Sequence, residues 1–248
     1  MGAYEHSSGK RKVSSQLSAV GLYVMMVKNE VMVMKDIPVF STELGVASLV
    51  LKEIPYRQTA YIHIRDVQPE QAEAFVTECV DFCRMAGADR VFATGHQQLE
   101  KYPLHTVICR MRGTWEQGHA PEGLLWPVTQ ETVGQWRKIY NQKMEGVDNA
   151  ATLAAADEKR ILESAGAYFI HRDGVLWGIG WIEDDEILAV ASVQPGKGRR
   201  VLEALMSAGA GGDFWLEVAS SNEKAVRLYE SMGFFKTEER SRWYRVMG

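Results

Sequence analysis

The chain has 248 residues, of which 46% are hydrophobic and 24% are charged, and its formal net charge at pH 7 is -4. This composition is typical of a globular protein with one large domain or two smaller ones, and the small negative charge argues against binding of DNA or RNA. No apolar run approaches the roughly 18 residues of a membrane-spanning helix, so no association with a membrane is expected.

The N-terminal residues and the cysteines indicate a reducing compartment. Residues 1–16 are polar and lack the apolar segment of a secretory signal, so they are predicted to form a polar arm. Cys79 and Cys83 lie on the apolar stripe of a predicted helix, and Cys109 makes the number of cysteines odd. Buried reduced thiols are therefore expected, with no metal site and a cytoplasmic location.

The first half of the chain has the pattern of strands, one helix and further strands. Apolar runs predict the strands, and a helical pattern begins at Pro69 and ends at Gly87 or Asp89. The predicted strands are residues 20–27, 31–34, 46–54, 59–67, 90–94 and 104–113.

A boundary between two domains is predicted at Gly113–Pro127. This segment has no sustained period and contains three glycines and two prolines. The predicted units are a first domain at residues 17–113, a linker at 114–127 and a second domain at 128–248.

The second half begins with two predicted helices and a hairpin. Trp177 and Trp181 lie four residues apart in the second hairpin strand, so they are expected to share a face, in the core or at a pocket wall. The predicted elements are helices ending near residue 144 and spanning 151–164, a hairpin turning at 173–174, strands at 186–193 and 214–218, helices starting at Arg199 and Asn222, and a last strand region at 235–247.

A glycine turn joins the strand at 186–193 to the helix that follows it. Pro195 ends the strand, and Gly196-Lys197-Gly198 places backbone N–H groups at the helix N-terminus without side chains in the way. A helix N-terminus of this kind is suited to a phosphate group.

The same pattern occurs twice in the chain. Val67-Gln68-Pro69 recurs as Val193-Gln194-Pro195, which lies 126 residues later (193 − 67). Each copy follows a strand and precedes a helix, which ends in small residues and an aspartate before another strand. The chain is therefore interpreted as two copies of one fold.

The two copies differ where a phosphate would bind. The first copy has Glu70 and no glycine at the start of its helix, so a carboxylate supplies the anion there itself. Pro103 also interrupts the region where the second copy forms the helix that starts at Asn222. Only the C-terminal copy is therefore predicted to bind a phosphorylated cofactor.

The C-terminal copy resembles the GNAT superfamily of acetyl-CoA-dependent N-acetyltransferases. The order of elements is similar over about residues 126–246, and the most similar stretch is LEVASSNEKAVRLYESMGFF at residues 216–235. The resemblance implies an α/β (α+β) fold of two tandem GNAT-like domains, each with a mixed, mainly antiparallel sheet flanked by helices. The residues that match the family pattern are Asn222, Ala225, Leu228, Tyr229, Gly233 and Phe234.

The resemblance also implies a co-substrate, acetyl-CoA, and a set of site residues. Tyr229 resembles the family's proton donor to the CoA thiolate. A carboxylate base is expected at residues 183–186 or on the neighbouring strand, with Glu186 and Glu217 preferred. The residues expected to bind the cofactor are Val190, Ala191, Ser192, Val193, Gly196, Lys197, Gly198, Arg199, Arg200 and Asn222, where Val193 replaces the family's Gln or Arg and the two arginines would compensate.

Other interpretations of these residues remain open. Tyr229 also fits a packing residue, and residues 183–186 also fit a solvated hairpin turn. A non-catalytic acyl-CoA-binding or sensor protein of the same fold would have the same glycine turn, and a third hypothesis is a structural protein that dimerises through its tryptophan-rich strands. The expected acceptor is a small-molecule or peptide amine, and a homodimer is among the expected assemblies.

Overall fold

The computed structural model describes residues 24–27, 30–33, 38–115, 120–209 and 211–248. Within them, an eleven-stranded sheet is covered by helices on both faces, and a two-stranded hairpin forms a separate sheet. The predicted N-terminal arm at residues 1–16 lies outside the described residues. None of the helices in the described part of the chain is both long enough and apolar enough to span a membrane.

The described part of the first half contains seven strands and two α-helices. The strands predicted at 59–67 and 90–94 are found with those bounds, and a 3₁₀ helix at Gln97–Lys101 occupies the region before Pro103. The strands are β1 (Val24–Val27), β2 (Glu30–Val33), β3 (Val39–Ser41), β4 (Gly45–Val50), β5 (Thr59–Val67), β6 (Arg90–Thr94) and β7 (Leu104–Trp115), and the helices are α1 (Ile54–Arg57) and α2 (Ala72–Met85).

The described part of the second half contains six strands and four α-helices. The hairpin turns at Asp173-Gly174, as predicted, and both residues have positive φ, which suits a two-residue turn. The strands are β8 (Leu124–Pro127), β9 (Ala167–Arg172), β10 (Val175–Glu183), β11 (Glu186–Ser192), β12 (Gly212–Ala219) and β13 (Phe235–Met247), and the helices are α3 (Val133–Met144), α4 (Glu158–Glu163), α5 (Gly198–Met206) and α6 (Glu223–Ser231).

The two halves exchange their last strands within one sheet. The strand order is β3-β4-β5-β6-β13-β7-β12-β11-β10-β9-β8. Strand β7 of the first half pairs antiparallel with β12 of the second, and β13 of the second half pairs antiparallel with β6 of the first. Each half therefore completes its sheet with a strand from the other half. Strands β7 and β13 also pair with each other, which joins the sheets of the two halves.

The predicted α/β fold with a mixed, mainly antiparallel sheet is confirmed. Among the pairs of described strands, only β5–β6 and β11–β12 are parallel. Helix α2 connects β5 to β6, and helix α5 connects β11 to β12, because parallel neighbouring strands need a crossover connection. The sheets of the two halves are continuous, and the domain boundaries at residues 113 and 128 stay a prediction.

Apolar side chains pack on both faces of the sheet. On one face, Leu205 of α5 packs with Phe214 and Leu216 of β12. On the opposite face, Trp136 of α3 packs edge-on against Trp181 of β10, with ring centroids 6.1 Å apart. Burial of each such side chain stabilises the fold by about 1.5–3 kcal/mol.

The cysteines are free and buried, as predicted. Cys79 and Cys83 lie in the apolar core under α2, and burial raises the pKa of their thiols to about 12 and about 11 respectively. Because the thiolate is the reactive form, both are inert packing residues at neutral pH.

The prediction that Trp177 and Trp181 share a face is wrong. Strand β10 has a bulge at Trp177, since the residues on either side of it pair with consecutive residues of β9. The extra residue reverses the alternation of side chains. Trp177 therefore packs against Val201 and Ala204 of α5, whereas Trp181 faces α3.

The segment predicted as a linker, residues 114–127, contains strand structure at both ends. Thr114 and Trp115 extend β7 because they pair with the start of β12. Strand β8 forms an edge of the sheet by pairing with β9. An edge strand needs only one hydrogen-bonded neighbour, so the proline and glycine content of this segment is compatible with it.

Candidate functional site

Strands β11 and β12 diverge after their first paired residues. They are parallel neighbours, yet they pair only at Glu186–Trp215 and Ile187–Leu216. Beyond that point one edge of β11, from Leu188 to Ser192, faces an opening. Backbone groups along such an edge are able to pair with an extended ligand.

A β-bulge in β11 lies at the start of this opening. Ile187 pairs with Ile182 of β10, but Ala189 pairs with Trp181, so Leu188 is an extra residue. A bulge bends its strand and increases the local twist. The bulge therefore accounts for the divergence of β11 from β12.

A type II turn connects β11 to α5. The Lys197 N–H donates to the Gln194 carbonyl at 3.3 Å, with Pro195 and Gly196 between them. Gly196 has a φ of +75°, which this turn requires at its second central position. A residue with a side chain would be strained there.

The N-terminus of α5 has unpaired amides. The helix begins at Gly198, and its N-cap residue Lys197 makes no side-chain capping bond. The first intrahelical bond is from Val201 N–H to the Lys197 carbonyl, so the amides of Gly198, Arg199 and Arg200 precede the helical hydrogen-bond pattern. These amides point toward the helix N-terminus, where an anion is favoured.

An open cleft of about 550 Å³ lies over the turn. Two lysines contribute to its lining: Lys143 from the end of α3 and Lys224 from the first turn of α6. Two ammonium groups beside a helix N-terminus make the cleft a favourable place for phosphate groups. The other lining residues are Ser192, Val193, Gln194, Pro195, Gly196 and Gly198.

The basic side chains on the turn itself contact protein groups. The Lys197 ammonium lies 4.3 Å from the centroid of the Trp177 ring. Arg199 donates to the Ser231 carbonyl at 2.6 Å, and a guanidinium nitrogen of Arg200 lies 3.0 Å from the Glu122 carboxylate. In this conformation, Arg199 and Arg200 offer the cleft their backbone amides, and their predicted side-chain role as phosphate contacts stays a prediction.

Asn222 is the N-cap residue of helix α6, which begins at Glu223. The Asn222 side-chain oxygen accepts a hydrogen bond from the Ala225 N–H at 3.3 Å. An Asn cap of this type stabilises a helix by about 1 kcal/mol relative to Ala. Since the oxygen caps the helix, the side-chain NH₂ group is the part of Asn222 that is suited to contact a ligand.

The other end of α6 explains why the sequence has Gly-Phe after the tyrosine. Gly233 has a φ of +86°, and the N–H groups of Gly233 and Phe234 donate to the carbonyls of Glu230 and Tyr229, both at 3.0 Å. This is a Schellman C-cap, which favours glycine and brings the next side chain back against the helix. The Phe234 ring centroid thus lies 6.0 Å from that of Tyr229 and fixes its position.

Tyr229 is buried in the apolar cluster on the α5–α6 face of the sheet. It packs with Ile187 of β11 and with Leu216 and Val218 of β12, next to the opening. Burial raises the pKa of its phenol to about 12. The hydroxyl therefore stays protonated at neutral pH.

Glu186 lies on the opposite face of the sheet from Tyr229. It is the first residue of β11, and its neighbour Ile187 packs in the Tyr229 cluster, so the alternation of side chains directs Glu186 to the other side. Partial burial raises the pKa of the Glu186 carboxyl to about 7, and the negative charge of Glu217 adds to the effect.

Glu217 is paired with two arginines. Its carboxylate oxygen lies 3.1 Å from Arg110 of β7 and 3.2 Å from Arg240 of β13. The Arg110 guanidinium also lies 4.3 Å from the centroid of the Trp215 ring. With a pKa of about 7, Glu186 is the carboxyl of this pair that is poised to exchange a proton near neutral pH.

The described residues contain no group of three or more His, Cys, Asp or Glu side chains that would hold a metal ion.

The equivalent region of the first half is closed. Helix α2 begins at Ala72, which is 126 residues before Gly198 (198 − 72), and the Gln71 N–H donates to the Gln68 carbonyl in an equivalent turn. Glu70 stands in the place of Gly196 and has no positive φ. Strands β5 and β6 pair at five consecutive positions, from Thr59–Arg90 to His63–Thr94, and the last residues of β5, Ile64 to Val67, extend past β6. There, Ile64 and the 3₁₀ helix at Gln97–Lys101 lie together against α2 and leave no volume for a ligand between them.

The chain is similar in sequence to a curated acetyltransferase over a short segment. It is 45% identical over 53 residues to N-alpha-acetyltransferase RimI of Mycobacterium tuberculosis (strain ATCC 25618 / H37Rv), and the match covers 21% of this chain and 34% of that protein. The chain thus matches about a third of the length of this relative. No protein-family model matches the chain.

Solved structures of GCN5-related N-acetyltransferases (GNAT) superimpose on most of the chain. The protein from Sphaerobacter thermophilus gives a TM-score of 0.50 at 14% identity and covers 82% of this chain and 76% of its own. The protein from Anabaena variabilis ATCC 29413 gives 0.53 at 11% identity and covers 84% and 58%. The chain has the GNAT fold. A protein from Pyrococcus horikoshii, classed provisionally as an acetyltransferase, gives 0.54 at 15% identity and covers 83% and 70%.

Within the GNAT fold, the structure brings most of the predicted residues to one region. Val190 to Val193 lie along the opening, Gly196 to Arg200 form the turn and helix start, and Tyr229 borders the opening. Sequence reasoning missed Lys143 and Lys224. Lys224 could have been predicted, because it follows Asn222 by two residues in the first turn of α6. Lys143 could not, because it reaches the cleft only through the packing of α3.

Proposed function

We propose that the chain is an acetyl-CoA-dependent N-acetyltransferase with one cofactor site, in its C-terminal half, and a primary amine of a small molecule or peptide as acceptor. The opening between β11 and β12 carries the proposal. An unpaired strand edge suits an extended amide-containing arm, and a free helix N-terminus at the end of that edge suits a pyrophosphate. The GNAT fold and the RimI similarity support this function.

The residues around the opening fit acetyl-CoA. The backbone of Val190–Val193 would pair with the pantetheine arm, and the amides of Gly198, Arg199 and Arg200 would bind the pyrophosphate. Lys143 and Lys224 would neutralise the phosphate charges. When bound, acetyl-CoA supplies an acyl thioester that a deprotonated amine can attack.

Glu186 is proposed as the general base. A carboxyl with a pKa of about 7 is ionised in about half of the molecules at neutral pH, and its basicity is higher than that of an ordinary glutamate. It would take a proton from the acceptor ammonium or from an intervening water. Glu217 is proposed to act through Glu186, because its charge raises the Glu186 pKa while its own carboxylate is held by two arginines.

Tyr229 is proposed as the general acid. Its phenol remains protonated because burial raises its pKa to about 12. A tyrosine beside the opening can donate this proton to the CoA thiolate as the thiolate leaves. The base and the acid lie on opposite faces of the sheet, which separates the attacking amine from the departing sulfur.

Calorimetry with acetyl-CoA, followed by an assay of thiol release with a panel of amines, tests the proposed function. We expect one acetyl-CoA per chain and thiol release that depends on at least one amine. Binding without release under every amine would favour the acyl-CoA-binding or sensor hypothesis. Absence of binding at millimolar acetyl-CoA would contradict both.

The substitution Gly198→Glu is expected to weaken CoA binding by at least about 30-fold, because a carboxylate at the helix N-terminus repels the phosphates. A Cβ at this position would lie 3.1 Å from a methyl group of Leu228, so part of any effect comes from size. Gly198→Gln has a similar size and no charge, and we expect its effect on calorimetric affinity to be several-fold smaller. Equal losses in the two variants would contradict an electrostatic role, and Glu70→Gln should leave affinity unchanged.

The substitution Glu217→Gln is expected to lower the pKa of Glu186. The substitution removes a negative charge near Glu186 and also reduces the negative charge that faces Arg110. Both changes favour the ionised form of Glu186. In a pH profile of kcat/KM, the acidic limb should therefore move below pH 7 with the plateau within about twofold of the original value. A plateau lowered by about 100-fold would identify Glu217 as the base instead.

A further inference from the structure

An arginine of the first half binds the end of a helix in the second half. Arg57, the last residue of α1, donates to the Met144 carbonyl at 2.9 Å and to the Val147 carbonyl at 3.3 Å. Met144 is the last residue of α3, and its carbonyl accepts hydrogen bonds both from the Val147 N–H at 3.1 Å and from Arg57. Its positive charge also lies at the end of α3 where the helix dipole favours a cation.

A buried carboxylate holds Arg57 in this position. The Arg57 Nε lies 3.6 Å from Glu53, whose side chain is only 2% exposed. Glu53 also accepts hydrogen bonds from the Thr152 N–H at 2.7 Å and from the Thr152 hydroxyl at 2.6 Å. Glu53 and Arg57 together therefore bind both ends of the segment from Met144 to Thr152.

The same end of α3 carries one wall of the cleft. Lys143 precedes Met144 and lines the cleft together with the glycine turn and Lys224. Its side chain is exposed and belongs to the final turn of a helix, which is prone to fray when its carbonyls lack partners. Lys143 is thus adjacent in the chain to the residue whose carbonyl Arg57 contacts.

We propose that Arg57 is a positioning residue for cofactor binding: held by Glu53, it fixes the end of α3 and so keeps Lys143 at the phosphate side of the cleft. The inference rests on the proposed binding of acetyl-CoA. This inference gives the first half a role in cofactor binding, although the proposed cofactor site lies in the second half. The halves would then be coupled at the cofactor site as well as through the exchanged strands.

A double-mutant cycle tests this coupling. Calorimetric affinity for CoA is measured for the full chain, for Arg57→Met, for Lys143→Ala and for the double variant. We expect a loss of about tenfold for Lys143→Ala, since it removes a charged phosphate contact, and about three- to tenfold for Arg57→Met. In the Lys143→Ala background, Arg57→Met should then change affinity by less than about twofold, because its effect passes through Lys143.

The other outcomes contradict specific parts of the account. An unchanged affinity in Arg57→Met, or losses that multiply in the double variant, would overturn the positioning role, because a general loosening of the fold would act in both backgrounds. Failure of the unsubstituted chain to bind CoA would instead contradict the proposed function.

Two further variants keep the test decisive. Arg84→Met removes an exposed arginine of the first half that pairs with Asp81, and its affinity should match that of the unsubstituted chain. Should Arg57→Met leave Glu53 as a lone buried charge and unfold, the pair Glu53→Gln/Arg57→Met removes both charges together. The same cycle with Lys143→Ala is then measured on that pair, with thermal melting as the check on folding.

Discussion

Replacement of Tyr229 by Phe is expected to lower kcat by about 100-fold, which is the lower end of the contribution of general acid catalysis. The aromatic ring is buried with Leu216 and Phe234, and the substitution keeps this packing because it removes only the hydroxyl. The affinity for acetyl-CoA should therefore remain within about twofold of the original value. Steady-state kinetics of thiol release and calorimetry measure the two quantities separately.

The control for this prediction is a neighbouring residue of the same helix. Arg227 is exposed and pairs with Glu223 on the solvent side of α6, so Arg227→Met should leave both quantities unchanged. An unchanged kcat in Tyr229→Phe would remove Tyr229 from the mechanism and support the interpretation of a packing residue. A large loss of cofactor affinity with kcat preserved would assign it to binding instead.

Replacement of Glu186 by Gln is expected to lower kcat/KM by about 100-fold at pH 8 and to remove its pH dependence near neutrality. With a pKa of about 7, the Glu186 carboxyl is protonated below pH 7 and cannot accept a proton. The rate of the unsubstituted enzyme should therefore fall by up to tenfold per pH unit below pH 7 and reach a plateau above it. Kinetics of thiol release from pH 5.5 to 9 would show this limb.

The pH profile separates the catalytic role from a structural one. A variant that only perturbs the strand would lower the plateau and keep the acidic limb at pH 7. Glu163 provides the matched control, because it is an exposed glutamate at the end of α4 whose carboxylate pairs with Lys159 at 3.5 Å. Glu163→Gln should keep the limb close to pH 7 and the plateau within about twofold. A limb that survives in Glu186→Gln would contradict the proposed base.

The local elements of the fold could be predicted from the sequence because their causes are local. Apolar runs predicted β5, β6 and β11 to within one residue, and the glycines at 196 and 233 occupy positions whose φ values require them. The repeat at an offset of 126 residues also extended to the structure, since both helices begin at equivalent positions. The GNAT fold was implied by the resemblance to that family, both in the order of elements and in residues 216–235.

The exchange of β7 and β13 could not be predicted in this way. Both strands have ordinary strand patterns, and nothing in a strand pattern selects its partner in a sheet. The choice is made by contacts between residues more than 100 positions apart in the sequence, such as Arg110 with Glu217. The bulges at Trp177 and Leu188 were missed for a similar reason, because they are defined by pairing with a neighbouring strand.

At the site, sequence reasoning found the groups that lie within motifs and missed those that come from packing. Gly198, Asn222 and Tyr229 belong to one continuous stretch of the sequence. The order and spacing of the elements in this stretch determine where the three residues lie relative to one another. Lys143 and Arg57 reach the region from other elements, through the end of α3. The partners of Arg199 and Arg200 were likewise unpredictable, since Ser231 and Glu122 lie far from them in the sequence.

The central claim is that the second copy of the repeat binds acetyl-CoA and the first does not. Amide hydrogen exchange, with and without saturating CoA, compares the two copies in one sample. We expect CoA to protect amides at Leu188–Ser192 and Gly198–Arg200 and to leave those at His63–Ala72 unchanged. Protection at His63–Ala72, or its absence along the opening of β11, would contradict the account.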